Sequence, residues 1–131
     1  METVIFEVLP PPITWDDDKI DRYCQDIVHV LKQQNLFTVC IPEVVNESKE
    51  QEREVAYIPK IDNVDFVLKL KSHFADIVPV VCKITVRDTK PDFHIWLDKT
   101  YSAGIHHIVL VGGEKHSIDY PGYSVIEAAR T

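Results

Sequence analysis

The sequence predicts an α/β domain made of four strand–helix units on a parallel sheet. Short apolar runs of strand length alternate with stretches whose apolar residues recur at helical spacing. The connections between strands are long enough to hold a helix. Such crossovers are right-handed and set successive strands parallel. The 131 residues, 45% of them hydrophobic, suit one globular domain over 1–131.

The charge balance narrows the function. Fourteen Lys and Arg stand against 21 Asp and Glu, a formal charge of −7. That argues against nucleic acid or an anionic membrane as the main partner. No apolar run approaches the roughly 20 residues of a membrane helix. Met1-Glu2-Thr3 lacks the basic start of a signal peptide, so a cytoplasmic location is expected. Cys24, Cys40 and Cys82 lie in apolar surroundings and are expected to be buried reduced thiols. No two of them have a ligand spacing, so no metal site is expected.

The first strand is expected over 3–9, where Val4, Ile5, Phe6, Val8 and Leu9 surround Glu7; Pro10-Pro11-Pro12 ends it. The first helix should start near Thr14 or Asp16. Thr14 and Asp17 have capping spacing, and Ile20, Cys24, Ile27 and Leu31 follow on one stripe, with Asn35 as the stop. A second strand over 37–41 is closed by Pro42. The charged stretch 46–54 reads as a loop or short helix. Asp62 or Asn63 caps a helix carrying Val64, Val67, Leu68 and Phe74 on one face.

A third strand is expected over 77–86. It is apolar on both faces in its first half, as in a strand covered on both sides. The turn 88–91 leads to a helix with Phe93, Trp96, Leu97 and Tyr101 on one stripe and Gly104 as its left-handed stop. The fourth strand, 107–111, runs into Gly112-Gly113. Ser124 and Glu127 then have capping-box spacing at the start of a last, short helix. This order fits a doubly wound sheet or one half of an eight-stranded α/β barrel. The apolar fourth strand would be an exposed edge, so a continuation of the barrel or a second copy is expected to cover it.

Three places carry candidate chemistry. Glu7 is a lone carboxylate inside an apolar strand, at the end where barrel active sites are built; partial burial there would suit a general acid. Gly112-Gly113-Glu114 follows the last strand, where glycines let backbone approach a ligand. The segment 119–124 offers Tyr120 and Tyr123 for stacking, ahead of a helix N-terminus that could receive an anion. The six histidines form no catalytic or metal set by spacing.

Phe6-Glu7-Val8-Leu9-Pro10-Pro11 resembles the first-strand motif of the methylenetetrahydrofolate reductase family. Ser102-Ala103-Gly104-Ile105-His106-His107, the apolar strand and Gly112-Gly113-Glu114 resemble its Asn-Gly-Ile-x-His-Ile, fourth strand and Arg-Gly-Asp. Tyr120-Pro121-Gly122-Tyr123-Ser124-Val125-Ile126-Glu127-Ala128 looks like the loop and helix that follow, especially in an actinobacterial-type branch. The likeness spans the chain but only the first half of the family's TIM-type (β/α)8 barrel.

The resemblance implies a half-barrel of four βα units and reduction of 5,10-methylenetetrahydrofolate to 5-methyltetrahydrofolate by hydride transfer. The hydride comes from NAD(P)H, through FAD in most members. Glu7 would be the acid that opens the five-membered ring to an iminium ion. Glu114, Gly112, Gly113 and Tyr123 would sit by folate and cofactor. Some family features differ here. Gly112 stands for an arginine, Glu114 for an aspartate, Ile41 for a flavin-contacting threonine and Val80 for a histidine. These changes bring the chain closer to a flavin-independent branch that takes hydride directly from NADH. Without a second half, the isolated chain is expected to have little or no reductase activity. The alternative is a non-catalytic half-barrel that pairs with itself or with a complementary half-barrel subunit.

Overall fold

The computed structural model describes residues 4–45, 58–113 and 120–131. Along them run β1 (Phe6–Glu7), α1 (Asp17–Gln34), β2 (Thr38–Ile41), α2 (Asn63–His73), β3 (Val78–Ile84), α3 (Lys90–Ser102), β4 (His107–Val111) and α4 (Val125–Ala129). The chain is an α/β fold with a four-stranded parallel sheet in the order β1-β2-β3-β4.

A sequential order of parallel strands with right-handed crossovers puts every connecting helix on one side of the sheet. The burial pattern agrees. Val39, Ile41 and Val81 are fully buried and share a core with Leu31 of α1, Leu70 of α2 and Phe93 of α3. Each such aliphatic side chain contributes about 1.5–3 kcal/mol by leaving water. The alternate residues lie on the other, open face, where Val78, Val109 and Val111 are exposed. This corrects the expectation of a third strand covered on both sides. It also separates the sheet from a doubly wound one, in which strand order reverses and helices cover both faces.

The helix signals hold with local shifts. Asp16, not Thr14, caps α1, its carboxylate accepting from the Lys19 N–H at 2.8 Å. Asn35 ends α1 in the left-handed conformation at φ 51°. Asp62 caps α2, where Leu68 is exposed and Phe66 and Leu70 are buried instead. The α2 stripe is rotated because the helix packs against α1 as well as the sheet, with the Phe66 ring stacked on Tyr23 at 5.8 Å. In α3, Tyr101 is exposed against the edge of His106, and Thr100 takes the buried place. Thr100 is tolerated there because its hydroxyl donates to the Trp96 carbonyl at 2.8 Å. Gly104 follows α3 at φ 79°, as its position requires.

The strands are shorter than expected. β1 covers two residues, although the Val8 N–H extends the ladder to the Cys40 carbonyl at 3.0 Å. β3 ends at Ile84 because Thr85 begins the turn into α3. β4 has the expected bounds. The charged stretch 46–54 lies outside the described residues.

Candidate functional site

Parallel pairing brings the carboxyl ends of all four strands to one edge of the sheet. Glu7 pairs in register with Cys40, Cys40 with Val80, and Val80 with His107, so these four share the open face. Glu7 is exposed there, rather than partly buried as expected, because β1 is an edge strand and no described element covers this side. Gly112-Gly113 follows β4 on the opposite edge. Three strand spacings separate the two edges, roughly 14 Å. Glu114 lies outside the described residues. Glu7 and the glycine pair thus follow the carboxyl ends of the two outer strands, but the β4 residue in the row of Glu7 is His107, and Gly112 stands five residues further along that strand, so the structure does not bring them together.

The thiols of Cys40 and Cys82 meet beneath Glu7, with Sγ–Sγ at 3.5 Å. Burial pushes the Cys82 thiol up to about 12; the hydrogen bond and charge of Cys40 add to this, and so does the Glu7 carboxylate. A thiol held protonated in this way is a weak nucleophile. Cys24, in the helix-side core, is pushed up to about 11, mainly by burial.

Tyr123 does not face this site. Its hydroxyl shares a hydrogen bond with His94 Nε2 at 2.9 Å, and its ring stands edge-on to Phe93 at 5.6 Å. Both partners belong to α3. The Lys90 ammonium lies 5.2 Å from the ring centroid. Gly113 has no room for a ligand at its α-carbon, because an added Cβ would stand 2.6 Å from the Tyr120 ring. Gly112 has ordinary clearance, its nearest neighbour being Val125 Cγ2 at 3.5 Å. The α4 N-terminus already holds an anion, the Glu127 side chain, which completes the capping box with Ser124. These contacts absorb the stacking and anion-binding groups expected of 119–124.

A second polar group was not singled out by the sequence reading. Lys83 points to the helix side of β3 and is 4% exposed. Its ammonium donates to Glu43 Oε2 and to Asp88 Oδ2, both at 2.7 Å, and lies 5.0 Å from the Trp96 ring centroid. Burial works against the charged amine, but the hydrogen bonds to Asp88 and Glu43 outweigh it and hold its pKa above the ordinary lysine value. Glu43 also accepts from the Ile84 N–H at 3.2 Å, tying the end of β2 to β3. Beside it, Asn63 donates to the Cys82 and Ile41 carbonyls, at 2.8 and 3.4 Å. A signal did exist: Lys83 is a lone charge in an apolar strand, as Glu7 is, and its parity places it opposite Cys82.

Two concavities flank these groups. An open groove of about 410 Å³ runs between β1 and α1, lined by Glu7, Leu9, Tyr23, Asp26, Ile27 and Val30 among others. A polar cavity of about 250 Å³ lies at the ends of β2 and β3, where Glu43, Lys60, Asn63, Arg87 and Asp88 meet. No described helix is long and apolar enough to cross a membrane. In comparisons with known proteins, no family model and no curated protein matches the chain.

Proposed function

We propose that the sheet is half of a (β/α)8 barrel and that its carboxyl edge belongs to a methylenetetrahydrofolate reductase-like enzyme. The observation that carries this reading is Glu7. It is an acid on the open face of β1 within a sequentially ordered parallel sheet, at the end where barrel enzymes hold their chemistry. The sequence resemblance supplies the substrate class.

In this reading Glu7 gives its proton to a ring nitrogen of 5,10-methylenetetrahydrofolate. The carbon–nitrogen bond breaks with its electron pair going to that nitrogen, which leaves an iminium ion. Bound NAD(P)H would supply the hydride that reduces the iminium carbon to the methyl group and would leave as the oxidised nicotinamide. In this reading FAD takes no part, because the residues do not fit a flavin. Gly113 is filled by Tyr120, Tyr123 is engaged by His94, and Ile41 is buried on the helix side.

The test follows NADH consumption and folate binding by the wild-type chain and by Glu7→Gln, with and without FAD. The reading expects folate binding by the assembled protein and NADH consumption that Glu7→Gln lowers by about 10²–10⁴-fold. It expects little or no turnover from a monomer, in which Glu7 is open to water. Absence of folate binding in every assembly state would refute it, as would a Glu7→Gln rate equal to wild type. Stoichiometric bound FAD in the purified protein would overturn the flavin-independent part.

A further inference from the structure

We propose that a second copy of this chain covers the open face and both free edges of the sheet. A two-fold axis running along the strands would place β4 of each copy beside β1 of the other. This inference rests on the half-barrel reading but not on the folate chemistry.

The edges come first. Among the described residues, β1 pairs with β2 and β4 pairs with β3, which leaves one side of each outer strand unpaired. An axis along the strands preserves strand direction. The β4 strand and the second copy's β1 therefore meet parallel, the sense of every pair already in the sheet. The two contacts are identical, so the assembly closes at two copies and eight strands and no edge remains.

Apolar area is the second argument. Val109 and Val111 on β4, Val78 on β3, Leu9 beyond β1, Val30 on α1 and Ile126 on α4 are all exposed; Val109 is 45% open and Ile126 66%. Together they leave on the order of 500 Å² of aliphatic surface per copy, divided between the open face, the groove between β1 and α1, and α4. Two such surfaces reach roughly the 1,000 Å² that a specific interface needs.

The groove and α4 complement each other. The groove between β1 and α1 is where the helix of a neighbouring strand–helix unit would lie, and α4 is the helix that follows β4. Ala128 faces its own core, while Ile126 and Arg130 are exposed. The groove offers apolar Leu9, Ile27 and Val30 together with the carboxylate of Asp26. Ile126 meets an apolar floor, and the Arg130 cation meets the Asp26 anion.

The site is incomplete without the second copy. Glu7 stands on one edge strand and Gly112-Gly113 follows the other. Pairing β1 with β4 of the second copy sets Glu7 against that copy's edge strand and takes it out of open water.

The test is sedimentation velocity of the full chain from about 1 to 100 μM, a range in which mass action shifts a reversible dimer. The expected species has twice the 15.1 kDa chain mass. Asp26→Arg and Arg130→Asp should each weaken association at least about tenfold, and the double exchange should restore it. Both side chains are exposed, so circular dichroism should stay unchanged. Val109→Lys on the open face should weaken association independently. A folded monomer throughout the range overturns the proposal. So does an open ladder of higher oligomers, or a dimer that both single exchanges leave intact. Mass does not report on folate: a dimer that binds none removes only the folate reading, and a folate-binding monomer removes only the dimer.

Discussion

Replacing Lys83 with methionine should cost about 2–4 kcal/mol of folding stability. The side chain is 4% exposed and holds Glu43 and Asp88 at 2.7 Å each. Methionine keeps the apolar packing on Trp96 but removes the ammonium. Glu43, 18% exposed, retains the Ile84 N–H and loses the partner of its other oxygen. Breaking one side of a buried pair costs about 3–5 kcal/mol. Asp88 is 40% exposed, so water screens its part and the figure falls.

The assay is urea unfolding. With a slope of about 2 kcal/mol per molar, the midpoint should drop by about 1–2 M. Adding Glu43→Gln to Lys83→Met should recover much of the loss, since no uncompensated charge then remains beside β3. Linkage gives a second readout. The folded-state pKa of Lys83 is raised above its ordinary 10.5. Its contribution is therefore fully present below that value and is lost as pH rises through the folded pKa. Wild type should lose stability above pH 10.5 more steeply than Lys83→Met does. A single-variant loss under about 0.5 kcal/mol, the size of an ordinary surface substitution, would refute the reasoning.

Two further predictions concern packing and thiol chemistry. Gly122→Ala should lower the melting temperature by several degrees, a loss of about 1–3 kcal/mol. Its Cβ would stand 2.3 Å from the Asp88 carbonyl oxygen and 2.5 Å from that of Thr85, both backbone atoms; an unchanged melting curve would contradict this packing. Cys24 and Cys82, raised to about 11 and about 12, should resist iodoacetamide at pH 8 in the folded chain and react once it is unfolded in urea. Mass spectrometry of the alkylated chain checks this, and rapid labelling of either in the native state would contradict it.

The sequence by itself determined the α/β class, the eight elements in their order and most helix caps. Those features depend on near neighbours. An apolar run needs only its own period, Ser124 and Glu127 need only three-residue spacing, and Gly104 needs only its own positive φ. The location of Glu7 at the carboxyl end of β1 was legible for the same reason, because a proline run marks where that strand stops.

Tertiary structure decided which face of the sheet is covered. That depends on the strand order β1-β2-β3-β4, which no local pattern encodes: β3 is apolar on both faces whether or not a second layer exists. It also decided the side chains whose roles come from distant partners. Tyr123 joins His94 across 29 residues, and Lys83 joins Glu43 across 40. Leu68 gave up its buried place to Phe66 because α1 lies beside α2. Such contacts are set when elements dock, so the burial and pairing of a charged or aromatic residue follow from the strand order rather than from its neighbours in the chain.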